Sequence, residues 1–151
     1  MSQAIFGITA LCITDLERST RFYCDALGYR ELTTTSPNGG ALGVTARFLD
    51  LDGRALELVE FVNAPPAEQS EYPMGRTGLI SHLAYNVTDL AATEAAVIAA
   101  GGTIAEFTRN DMDLEGLGKC TIVYARDPDG IWIELISVDE AARRRYVGLD
   151  Q

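Results

Sequence analysis

Short apolar runs and helix-like stretches alternate along this chain in a fixed order, and the order occurs twice. Residues 5–13 and 80–87 are rich in β-branched and apolar types and each runs into Thr-Asp, which predicts two strands. A helix is predicted after each. In the first, Leu16, Tyr23, Ala26 and Leu27 share a face and Gly28 ends it; Thr14 with Glu17 forms a capping-box pattern, and Asp15 adds negative charge at the start. Leu90, Val97 and Ala100 repeat that spacing ahead of Gly101-Gly102. Three more strand-like runs follow each helix, at 30–36, 44–50 and 54–61, then at 103–109, 119–126 and 131–137. Asp52-Gly53 and Asp129-Gly130 are hairpin signals between the last two strands of each set. Pro65-Pro66, Pro73 and two glycines mark 62–78 as a linker. The tail from Val138 is expected to form a short helix whose Arg143, Arg144 and Arg145 lie on a solvated face.

The two sets are copies of one another. Ile13-Thr14-Asp15-Leu16 matches Val87-Thr88-Asp89-Leu90, and the offset of 74 from Asp15 to Asp89 persists from Gly28 to Gly102. Asp50-Leu51-Asp52-Gly53, leading to Glu57-Leu58, matches Asp127-Pro128-Asp129-Gly130, leading to Glu134-Leu135. The offset there is 77, so the second copy has gained three residues in between. An α+β chain of two tandem βαβββ modules is expected, with boundaries at 1–61, 62–78 for the linker, 79–137, and 138–151 for the tail.

Charge and cysteine usage narrow the function. With 22 acidic against 12 basic residues and a net charge of −10, the surface repels nucleic acid and anionic lipid, which leaves a small-molecule partner. Cys12, Cys24 and Cys120 are an odd number at wide spacing in apolar segments, so they read as reduced, buried thiols. The apolar run from Ala4 to Ile13 lacks a preceding basic region and is too short to span a bilayer, so no membrane partner and a cytoplasmic location are expected.

Alternation along the strands sorts side chains by face. Thr9, Leu11 and Ile13, with Leu83, Tyr85 and Val87, are assigned to the helix side. The other side then carries Phe6, Ile8, Ala10 and Cys12 in the first copy and Ile80, His82, Ala84 and Asn86 in the second. Glu57 sits among Ala55, Val59 and Phe61, and Glu134 among Trp132 and Ile136. A carboxylate in such apolar company needs a cation, a donor or a proton to offset desolvation. His82 is the chain's only histidine and occupies the position equivalent to Ile8. One imidazole and two symmetry-related carboxylates, Glu57 and Glu134, form a donor set suited to Mn, Fe, Co, Ni or Zn. Taken singly, a strand histidine is more often structural and a strand glutamate more often solvated; the duplication is what raises the functional reading.

Asp15-Leu16-Glu17-Arg18-Ser19 with Phe22-Tyr23 and Leu27-Gly28, followed by Asp127-Pro128-Asp129-Gly130 with Ile133-Glu134-Leu135, resembles the vicinal-oxygen-chelate superfamily over residues 5–137. This is the superfamily of glyoxalases, extradiol dioxygenases and bleomycin-resistance proteins. The resemblance implies curved, mostly antiparallel sheets, a homodimer, and metal-ligand positions at Ile8, Glu57, His82 and Glu134, of which Ile8 cannot ligate. Two functions follow. One is a divalent-metal lyase, isomerase or epimerase for a small oxygenated substrate, working through an enolate-like intermediate, with Glu134 and Glu57 catalytic and Glu134 the first choice of general base. The other is a metal-free protein that binds, or acts on, an apolar or aromatic ligand lined by Phe6, Ile8 and Trp132, with His82 and Glu134 paired. Arg47, Tyr72, Arg76, Arg109 and Tyr124 are further candidate substrate contacts, and for each a solvated surface role is the commoner one.

Overall fold

The structure is a computed structural model that describes residues 7–41, 43–62, 77, 80–115, 118–139, 141, 142 and 144. The chain forms two compact units, Met1–Ala67 and Glu68–Gln151. No helix among the described residues is long and apolar enough to cross a membrane.

The first unit runs β1 (Ile8–Ile13), α1 (Leu16–Leu27), β2 (Arg30–Thr35), β3 (Val44–Leu51) and β4 (Arg54–Phe61). Its sheet has the order β1-β4-β3-β2, parallel between β1 and β4 and antiparallel elsewhere. The second unit repeats this with β5 (Leu83–Val87), α2 (Leu90–Ala99), β6 (Thr103–Leu114), β7 (Gly118–Arg126) and β8 (Trp132–Ser137), in the order β5-β8-β7-β6. The duplication is therefore a fold property: each copy is a βαβββ module with one sheet.

Both helices start on an aspartate whose side chain accepts a backbone N–H one turn in, Asp15 from Arg18 and Asp89 from Ala92, each at 2.9 Å. Asp15, not Thr14, is the N-cap, and Glu17 turns instead to Arg47. Gly28 ends α1 at φ 79, where a β-carbon would be strained. The tight turn at 52–53 has both residues at positive φ, as a two-residue hairpin requires. Its counterpart is longer than expected: the Asp127 side chain accepts from the N–H groups of Asp129 and Ile131, organising 127–131 as one loop.

Helix-side positions form the cores. Ile13, Leu49, Leu56 and Leu58 are buried in the first unit with Phe22 and Tyr23 of α1; Val123, Ile133 and Leu135 are buried in the second with Val97 of α2. Three expectations change. β5 begins at Leu83 rather than residue 80: Leu83 pairs with Ile133, so His82 already lies beside the first residue of β8. The tail is not merely a solvated face, because Val138 and Ala142 pack with Cys120, Met112, Ile122 and Ile136. Of the cysteines, only Cys120 is buried, whereas Cys12 is exposed and Cys24 half-buried; all three are free. Residues 5 and 6, nearly all of the expected linker, and Arg143 and Arg145 lie outside the described residues.

Candidate functional site

In the second unit, alternation puts Trp132 and Glu134 of β8 on the face away from α2, since their neighbours Ile133 and Leu135 are buried toward it. The register adds Tyr124 on one flank of Glu134 and Ala84 on the other. The small Ala84 leaves space beside the carboxylate, and His82, one step before β5, fills it. His82 Nε2 lies 3.3 Å from Glu134 Oε2, with the side chains 21% and 14% exposed, so both are largely buried yet reachable. Ser81 Oγ lies 2.6 Å from the other ring nitrogen, Nδ1.

Tyr124 packs edge-on against His82, with ring centroids 5.1 Å apart, and its hydroxyl donates a hydrogen bond to Glu134. Burial, the nearby Glu134 charge and that bond push the Tyr124 phenol up to about 12, so it stays a neutral donor. Trp132 backs Tyr124 edge-on, and the Arg126 guanidinium sits 4.1 Å from the Trp132 ring centroid. Two residues further along the same face, Asn86 Oδ1 is buried without a hydrogen-bond partner. A shallow depression of about 770 Å³ lies elsewhere in this unit, bordered by Met112, Cys120 and Val138, and shares no residue with the His82–Glu134 group.

The first unit repeats the pattern with different chemistry. Glu57 pairs with Ala10 and Phe48, as Glu134 pairs with Ala84 and Tyr124. Ile8 stands on the Glu57 face in place of the histidine, so where the second unit has His, Tyr and Glu, the first has Ile, Phe and Glu. Arg47 departs from its expected place. It pairs with Leu58 on the helix side, and its guanidinium donates to Glu17, Thr20 and Thr34. Arg109 is likewise held by Glu94 of α2 and by Glu106, so neither arginine belongs with the carboxylates. Phe6, Tyr72 and Arg76 lie outside the described residues. Ser81, Phe48 and Arg126 escaped the sequence reading, although strand register would have supplied Phe48 and Arg126.

The fold and the duplicated glutamate strands define a vicinal-oxygen-chelate protein, and the chain belongs to the Glyoxalase/Bleomycin resistance protein/Dioxygenase superfamily, whose family model matches residues 5–135. It is 34% identical over 129 residues to the lactoylglutathione lyase of Haemophilus influenzae, covering 85% of this chain and 88% of that one. Solved structures agree on the fold. A glyoxalase I mutant from Zea mays superposes with a TM-score of 0.62 at 22% identity over 84% of this chain, which spans only 42% of the maize chain. The genomically encoded fosfomycin resistance protein of Listeria monocytogenes, in complex with Mn(II) and sulfate, gives 0.65 at 15% identity over 94% of this chain and 98% of that one.

The family raises the question of a metal. Two ligand atoms about 2.1 Å from one ion, at the tetrahedral angle, lie about 3.4 Å apart, which the 3.3 Å spacing of His82 Nε2 and Glu134 Oε2 matches. Ser81 holds the remote ring nitrogen as an outer partner of a metal-bound histidine would. The pair fits as two ligands. No group of three His, Cys, Asp or Glu side chains suited to an ion occurs among the described residues.

Proposed function

We propose that this chain is a divalent-metal-dependent, glyoxalase-like lyase or isomerase that moves a proton at a carbon next to oxygen in a small oxygenated substrate, through an enolate-like intermediate. The observation that supports this best is the His82–Glu134 pair, 3.3 Å apart, largely buried and flanked by Ser81 and Tyr124. His82 and Glu134 would hold the ion, one of Mn, Fe, Co, Ni or Zn. Glu57 is proposed as a metal ligand in its own right, on the equivalence of its strand position to that of Glu134. When bound, such an ion supplies Lewis-acid polarisation of substrate oxygens.

Glu134 takes the substrate proton as general base and returns it to the neighbouring atom. Tyr124 stands opposite Glu134 across the strands as a neutral donor to its carboxylate, and the buried Trp132 packs edge-on against the Tyr124 ring. The name of the Haemophilus relative makes lactoylglutathione the first substrate to assay. We expect its turnover in metal-loaded protein, loss on chelation and recovery on adding Mn(II), Ni(II) or Zn(II). Glu134→Gln should lower kcat at least about 100-fold. Turnover indifferent to chelation would refute the metal-dependent reading.

A second reading draws on Ile8 and Phe48, which make the Glu57 face apolar. A metal-free chain would use such a face for an apolar or aromatic ligand, with His82 and Glu134 as an orienting pair. Saturable binding of aromatic ligands by chelated protein, together with absent lyase activity, would favour it. In either case we propose a homodimer.

A further inference from the structure

We propose that Val138 and Ala142 of the tail form an end wall on the ligand-binding face of the second unit, and that this wall sets the length of the apolar substituent a ligand carries past Glu134. The inference deepens the reading above and rests on its placing the ligand on the Glu134 face, with a metal or without one.

Strand alternation puts the wall on that face. Ile133 and Leu135 of β8 are buried toward α2, so Trp132, Glu134 and Ile136 share the opposite side. On β7, Tyr124 pairs with Glu134 and Ile122 with Ile136, which sets the two isoleucines one step further along the same side. The tail packs there. Val138 and the fully buried Ala142 cluster with Cys120, and Ile122 and Ile136 pack against them. Asp139 holds the turn: its Oδ1 accepts from the Ala142 N–H at 2.7 Å and brings the chain back over the sheet. Glu134 and Val138 are four residues apart, about 13 Å of extended chain. Between them Ile122 and Ile136 are only half-buried, so they offer an apolar floor to a ligand. Asn86 edges this floor beside Ile136, and its Oδ1 is buried without a hydrogen-bond partner. An unpaired buried acceptor costs stability and returns nothing to the fold, which supports a ligand-facing role for the strip. A substituent running from Glu134 along the floor gains apolar contact over the isoleucines and stops at Val138 and Ala142.

Trp132 is the chain's only tryptophan and shares a face with Glu134, so its emission reports a ligand bound there. The probes are 1-hydroxy-2-alkanones of rising chain length, from hydroxyacetone upward, titrated into the full chain. In wild type, affinity should rise about fourfold per added methylene until the chain meets the wall, and then level or fall. Val138→Ala should move that break to a longer chain and Ala142→Val to a shorter one, while hydroxyacetone, too short to reach the wall, binds both variants as it binds wild type. Opposite shifts separate a wall from general damage to the fold. A break that stays in place in both variants, or affinity that climbs with chain length without a break, would overturn the wall alone. Trp132 emission that no member of the series changes would overturn the placing of the ligand on this face, and the wall with it.

Discussion

Glu134 sits at 3.3 Å from an imidazole and accepts a phenol's hydrogen bond, so its charge should be felt in both neighbours. Tyr124 offers the direct readout. Its folded value is raised, so the stability it contributes is whole below the ordinary tyrosine value of 10.0 and is lost as pH rises through about 12. Glu134→Gln removes the charge while burial persists, so tyrosinate absorbance should show the late-titrating phenol moving part of the way back toward 10.0. A late phenol that does not respond would mean that the two side chains do not meet. Arg47 makes the contrasting case. Its bond to Glu17, the largest cause, holds that exposed carboxyl below the usual range. That contribution is present at neutral pH and is lost as pH falls through the lowered folded value. Arg47→Met should leave substrate and metal binding unchanged and cost about 1 kcal/mol through the half-buried bond to Thr20, readable by urea unfolding.

At the scale of elements, period and punctuation carried most of the information. Strand alternation located β3, β4, β7 and β8 to within a residue or two, because each buries part of one face, whereas β2, equally well placed, is exposed along its whole length and was marked by its β-branched run alone. Both helix starts were legible, although the capping side chain of the first is Asp15 rather than the expected Thr14, and alanine at Asp15 or Asp89 should cost about 1 kcal/mol in stability, measured by denaturant titration. What failed had no local signal. The length of β6 includes a bulge where the register jumps from Ala105 opposite Tyr124 to Asn110 opposite Ile122, and only the partner strand reveals it. Arg47 was a candidate substrate contact, and its bond to Glu17 of α1 could not be foreseen because a charged side chain in a strand gives no sign of which face it will occupy. The tail's role turns on Ala142, which reads as an unremarkable residue until Cys120 and Ile122 are seen packed with Val138 beside it.

For the whole molecule, the duplication made the candidate site legible. It singled out Glu57 and Glu134 as equivalent and set His82 against Ile8, and the strand registers repeat that correspondence. It did not show that the second copy alone combines imidazole, phenol and carboxylate, because Tyr124 and Phe48 become counterparts only through pairing with the glutamates. The proposal that Glu57 is a metal ligand predicts that Ile8→His tightens metal binding and Glu57→Gln loosens it. The most direct test of the central claim is calorimetric titration of chelator-stripped protein with Ni(II) or Zn(II), alongside Glu134→Gln and His82→Ala. The account predicts about one ion per wild-type chain and at least about tenfold weaker binding in both variants. Wild-type protein that takes up no ion, or variants that bind it as tightly as wild type, would contradict the account.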